Sequence, residues 1–157
     1  MIRAVVLALV CALVMSACGE DHLLGTELEK NMAPDFTLTD GVSGKSVTLS
    51  SLRKKTVALA FLYTRCPDVC PLTASQFRAA QRSLGDDASK VDFVAVSVDP
   101  EGDTPAAVRE FSSLHDLSER WHYLIDGRGR ERAILHSSDP TNWLLDNLRA
   151  LIRERSD

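Results

Sequence analysis

The chain has 157 residues, 45% hydrophobic and 25% charged, with a formal net charge of −4. That length lets one domain bury its own core without metals or multiple disulfides. A mild negative charge with no basic stripe among the aromatics sets nucleic acid aside as a partner.

The first twenty residues, "MIRAVVLALVCALVMSACGE", combine a charged start at Arg3, an apolar stretch from Ala4 to Met15 and small residues before Cys18. This is the pattern of a secretory signal. The apolar stretch falls short of the roughly 20 residues that span a bilayer. "MSAC" at 15–18 resembles a bacterial lipobox, in which the cysteine is lipidated and becomes the mature N-terminus. The expectation is a lipoprotein signal peptide over 1–17, a polar tether over 18–33 and a folded domain over 34–157. The protein would then be exported and lipid-anchored through Cys18, facing the periplasm or cell exterior. Cys11 leaves with the signal, so Cys66 and Cys70 are the whole thiol inventory of the domain.

Within the domain, "FTLT" at 36–39 and "SVTLS" at 46–50 flank "DGVSG" and read as a β-hairpin. "TVALAFLY" at 56–63 reads as a strand covered on both faces, and it delivers the chain to Cys66. A helix follows, with Phe77, Ala80 and Leu84 on one face and Gly85 at its stop. Pro71 places its first full turn at Pro71, leaving CPDVC as the preceding loop. A second buried strand, "VDFVAVSV" at 91–98, leads to a helix capped by Thr104 with Pro105 at its first position, running to about His115. "HYLID" at 122–126 and "ERAILH" at 131–136 read as strands about a glycine turn. A last helix opens at Asp139 and Pro140, with Leu144, Leu148, Leu151 and Ile152 on its packed face. Right-handed crossovers make the first two main strands parallel, and the short turn makes the last two antiparallel. The fold class is α/β: a thioredoxin-like mixed sheet flanked by helices, with an N-terminal β-hairpin.

In that arrangement Cys66 and Cys70 lie after the first core strand, at a helix N-terminus. Unpaired N–H groups and the positive end of the helix dipole stabilise a thiolate there, and Arg65 adds a cation. Three chemistries fit a thiol pair at this place: a structural disulfide, a redox couple and a metal site. The five-residue ring makes a weak staple, since cross-link stabilisation grows with loop length. Three intervening residues depart from the two of a thioredoxin-type couple, though they still permit a disulfide. A closed zinc site needs two further ligands at characteristic spacing, which the sequence lacks. Copper as Cu(I) favours thiolates and needs at most one more soft or imidazole ligand, with Cu(II) a second oxidation state for the same cofactor.

The stretches "APDFTLTDGVSGKSVTLSSLR" at 33–53, "FLYTRCPDVCPLT" at 61–73, "VAVSVDPEGDTP" at 94–105 and "YLIDGRGRER" at 123–132 together resemble the Sco/SenC family. That resemblance implies a membrane-tethered copper chaperone that binds copper through two cysteines and a distant histidine. It further implies delivery of copper to the CuA centre of cytochrome c oxidase, or reduction of that centre's thiols beforehand, with the copper-bearing subunit as partner. By motif position Cys66 and Cys70 are the copper ligands, and Asp99 and Asp103 match acidic positions. The residues alone give those aspartates a capping role, one after a strand and one before a helix. The alternative activity is a thiol-disulfide oxidoreductase in which Cys66 and Cys70 are catalytic.

The histidine departs from the family pattern. Relatives carry it about five residues before the tyrosine of "YLID", at the end of a longer segment; that position here is Ser118, and "LSERWHYLID" joins the two ends of the segment directly. Of four histidines, His22 falls in the tether, His115 ends a helix, and His136 faces away from the cysteine end. His122 remains as the candidate third copper ligand.

Overall fold

The computed structural model describes residues 22–117, 124–125 and 127–156. Cys18, His122 and Tyr123, and with them the signal, the lipidation site and most of the "HYLID" strand, lie outside the described residues.

In chain order the elements are β1 (Thr26–Glu27), β2 (Thr37–Thr39), β3 (Ser46–Thr48), β4 (Thr56–Leu62), α1 (Val69–Leu84), β5 (Val91–Ser97), α2 (Pro105–Leu114), β6 (Leu124–Ile125), β7 (Glu131–Ile134) and α3 (Thr141–Ser156). Short 3-10 turns occupy Leu49–Leu52 and Gly85–Lys90. Five strands form one sheet in the order β1-β7-β6-β4-β5, and β2 and β3 form a separate hairpin. β4 and β5 are parallel in register from Thr56↔Val91 to Leu62↔Ser97, while β6 runs antiparallel to both β4 and β7. This is the thioredoxin arrangement, with the strand pairing expected from crossover handedness and turn length.

The period of two along β4 divides the core. Ala58, Ala60 and Leu62 face a cluster with Phe77, Ala80 and Leu84 of α1, Leu144, Leu148 and Leu151 of α3, and Phe111 of α2. Val57 and Leu59 face the other side, against Leu49, Ala33 and the half-buried Phe36 and Leu52. Phe77 and Phe93 meet edge to face at 4.9 Å, tying α1 to β5. Leu148 and Leu151 are fully buried; each contributes about 1.5–3 kcal/mol through that burial. Among the described residues no helix is long and apolar enough to cross a membrane.

Two expectations need correction. Residues 22–33 do not run free as a tether: Leu23 and Ala33 are buried, β1 pairs antiparallel with β7, and Asn147 clamps the Leu24 backbone through two 2.8 Å hydrogen bonds. A two-residue strand shows no alternation in sequence, and its partner lies over a hundred residues away. Second, α1 starts at Val69, not Pro71, so Cys70 already stands in its first turn. Pro71 is tolerated there because the first four N–H groups of a helix have no intrahelical acceptor.

Candidate thiol and metal site

β4 ends at Leu62, and Tyr63–Asp68 turn the chain into α1. Cys66 N–H donates to the Tyr63 carbonyl at 3.2 Å, closing a tight turn that brings the two thiols together. Both cysteines are free and buried.

Burial pushes the Cys66 thiol up, but its bonds with the Cys70 side chain, the N–H groups of Asp68 and Cys70, and the Tyr63 hydroxyl outweigh that cost; its pKa lies below the ordinary thiol value. Cys70 moves the other way. Burial, the hydrogen bond it gives to Cys66, and the negative charges of Cys66 and Asp103 push it up to about 11, despite a backbone bond at Tyr63 that lowers it. The two thiols are therefore inequivalent: Cys66 gives up its proton more readily than an ordinary thiol, and Cys70 holds its proton more tightly.

Asp99 and Asp103 hold this loop in place. Asp103 Oδ1 accepts from Thr64 N–H at 2.8 Å and from Thr64 Oγ1 at 2.7 Å, while its Oδ2 accepts from Ser97 Oγ at 2.5 Å. One carboxylate thus ties the cysteine loop to the end of β5. Asp99 Oδ2 accepts from Arg65 at 2.7 Å and its Oδ1 from Gly102 N–H at 3.1 Å. The Arg65 bond and the Gly102 N–H hold the Asp99 carboxyl below the usual range. A Cβ at Gly102 would lie 2.2 Å from the ends of both the Arg65 and Asp99 side chains, so any larger residue there would displace that ion pair. The capping role read for Asp103 is therefore wrong in kind, because Thr104 caps α2 by accepting from Ala107 N–H at 3.3 Å. Asp103 has a structural role, but it serves the cysteine loop. Tyr63, Thr64 and Ser97 were missed from sequence; Tyr63, three residues before Cys66, was the one local signal available.

The described histidines do not join the thiols. His115 packs against Phe111 with ring centroids 4.4 Å apart and the ring planes tilted by 52°, His22 approaches Glu27 at 3.4 Å, and His136 forms a turn with Asp139. Among the described residues no group of three or more His, Cys, Asp or Glu side chains converges as a metal site. The donor set in view is two convergent thiols, which suits a soft monovalent ion held in low coordination.

The SCO1/SenC profile matches residues 25–134. The chain belongs to the SCO1/SenC family. It is 30% identical over 116 residues to the SCO1 protein homolog of Bacillus subtilis, covering 71% of this chain and 57% of that protein. It is 37% identical over 79 residues to Protein SenC of Rhodobacter capsulatus, covering 50% of this chain and 35% of that protein. The chain thus spans about half or less of the curated relatives' length. Copper-bound ScoI of Bradyrhizobium japonicum superposes with a TM-score of 0.65 at 28% identity, over 78% of this chain and 99% of that one. Apo Sco1 of Thermus thermophilus gives 0.63 at 28% identity, over 85% and 99%. In this SCO1/SenC chain the CPDVCP segment runs into α1, with Val69, Cys70 and Pro71 in its first turn.

Proposed function

We propose that this protein is an exported, membrane-tethered copper chaperone that carries Cu(I) on Cys66 and Cys70. It delivers that copper to the CuA centre of cytochrome c oxidase, or prepares the centre's thiols. The observation that carries the reading is the pairing of two free, buried cysteines at the start of α1, one with a lowered and one with a raised pKa. Copper-bound ScoI of Bradyrhizobium japonicum, 28% identical, supports copper as the cargo. The ion meets the Cys66 thiolate first. Cys70 then gives its proton to solvent and closes a bis-thiolate site. Release runs in reverse by ligand exchange, each recipient thiolate displacing one sulfur while a proton returns to Cys70. His122 is the proposed third ligand, and Cys18 the proposed lipidation site.

Retained copper tests this. The reduced chain, given Cu(I) and a competing chelator, is expected to hold about one ion per protein, and Cys66→Ser or Cys70→Ser to hold none. Retention unchanged in both variants would overturn the reading. His122→Ala is expected to weaken retention without abolishing it. Labelled lipid incorporated into the wild type and lost in Cys18→Ser checks the anchor.

The hydrogen bond between the thiols favours a second reading, thiol-disulfide exchange. The Cys66 thiolate attacks a partner disulfide and releases one partner thiolate. Cys70 then loses its proton and attacks the Cys66 sulfur, freeing the second, so this protein is oxidised as the partner is reduced. Dithiol turnover that survives Cys70→Ser would exclude it.

A further inference from the structure

A recess lies along the outer edge of β5. It is a groove of about 360 Å³, walled by Leu38 and Val42 of the hairpin, floored by Val94 and Val96, and closed by Val108 and Phe111 of α2. Every residue from Asp92 to Ser97 lines it, so the strand's edge as well as its faces opens there. β5 is the last strand in the sheet, and among the described residues no strand pairs with it on that side. Val98 N–H donates inward to the Leu62 carbonyl at 2.8 Å. Alternation then turns the backbone N–H and C=O groups of Phe93, Ala95 and Ser97 outward, into the groove.

We infer that this edge is a docking slot for one extended segment of another protein, apolar at alternate positions and carrying a lysine or arginine. Three observations select that occupant. Outward-facing strand amides and carbonyls are satisfied by an extended backbone, which adds a strand to the sheet while its side chains fill the apolar walls. The edge is also recessed: the hairpin turn at Gly41 lies against α2, so close that a Cβ added there would be 3.3 Å from Val108 Cγ1. A second copy's β5 is sunk between its own hairpin and α2, so two such edges cannot meet, whereas a single free strand can enter. Finally, the charged side chains lining the groove are acidic: Asp40, Asp103 and Asp92, the last of which Lys55 meets at 2.8 Å. A cation on the incoming segment complements them.

The slot reaches the cysteine loop, because Thr64 and Asp103, joined by two hydrogen bonds, line it as well. A partner held there has its body beside Cys66. This inference does not rest on copper binding, and Cys70→Ser is expected to leave it intact, so the two readings can fail separately.

The test uses the reduced full chain and a synthetic peptide, acetyl-Lys-Val-Thr-Val-Thr-Val-amide, followed by amide hydrogen exchange and NMR titration. Binding is expected to protect the Phe93, Ala95 and Ser97 amides. A Glu-for-Lys peptide is expected to bind about tenfold more weakly, a loss of about 1.4 kcal/mol. Leu38→Lys, at a half-exposed hairpin position, is expected to weaken the Lys peptide similarly while leaving copper retention unchanged. A peptide N-methylated at alternate residues is expected not to bind. The inference is overturned by absent protection at millimolar peptide, or by equal binding of the N-methylated peptide, which would mark an apolar pocket only. Protection that grows with protein concentration without peptide would mark self-association and overturn it too.

Discussion

Two ends of the sheet use charged residues to pin backbone, and they do so at opposite burial. At the β7–α3 end, Arg132 is wholly buried and grips Glu154 through two bonds of 2.5 and 2.8 Å. At the cysteine end, Arg65 is 70% exposed where it meets Asp99. A buried pair is costly to break because removing one partner strands a buried charge, whereas an exposed pair adds little stability and instead fixes where a loop sits. The chain keeps its buried ion pair away from the thiols and fixes the thiol loop with the exposed Arg65–Asp99 pair and the half-buried Asp103.

The largest expected effect breaks the buried end. Arg132→Ala leaves the Glu154 carboxylate without its bidentate partner, and the loss of such a buried pair costs about 3–5 kcal/mol. Urea unfolding of the reduced chain reads this as a large drop in midpoint. Copper retained per folded molecule is expected to stay constant, because the pair lies on the far side of the sheet order from β4 and the thiols. Equal losses in stability and copper would erase the distinction between the two ends.

Asp103→Ala sharpens the comparison from the other side. It strips three hydrogen bonds from a half-buried carboxylate and leaves Thr64 N–H without its acceptor; the expected cost is about 1–3 kcal/mol. Here the thiols should respond as well, with faster alkylation of Cys66 at fixed pH in the native state. A stability loss with unchanged alkylation would make Asp103 a scaffold residue only.

The thiol contrast itself is tested by Tyr63→Phe, which removes the phenol that bonds to Cys66. The Cys66 thiolate is expected to form at higher pH than in the wild type, read by thiolate absorbance, while secondary structure is unchanged. Cys70, already pushed up to about 11, gives the linkage its alkaline side. Its folded pKa is raised, so its contribution is complete below the ordinary thiol value and is lost as pH rises through about 11.

What was legible in sequence divides along the same line between local and distant chemistry. Thr104 and Pro105 announce the start of α2 because a cap acts within one turn, and the apolar run of β4 announces a strand covered on both faces; β5, read the same way, is buried only over Val91–Phe93, and from Val94 to Ser97 half-buried and exposed residues alternate. The CPDVCP loop was legible for a similar reason: thiols, prolines and the helix start lie within six residues. Asp103 was misassigned because its partners Thr64 and Ser97 come from two other segments, and a cap beside Pro105 was the nearest local explanation. The packing of residues 22–33 was hidden because β1 has only two residues and is held by backbone bonds to β7 and by Asn147. The β5 groove was equally hidden, since it is enclosed by three elements that no single stretch of sequence brings together.

The smallest expected effect falls on the exposed pair, where sign matters more than size. Asp99 has its folded pKa depressed by Arg65 and Gly102 N–H. Its contribution is therefore present above the unfolded carboxylate value, about 3.9, and is lost as pH falls through the lower folded value. Asp99→Asn keeps the shape of the side chain and removes the charge. The wild type should exceed it in urea midpoint at neutral pH, and the gap should close in strong acid, where both carry a neutral side chain. Salt should also narrow the gap at neutral pH, since an exposed pair is screened, whereas the Arg132–Glu154 pair should resist the same salt. A gap that persists in acid would mean that Asp99 acts through shape and hydrogen bonding alone, and the charge contrast between the two ends of the sheet would reduce to one of burial.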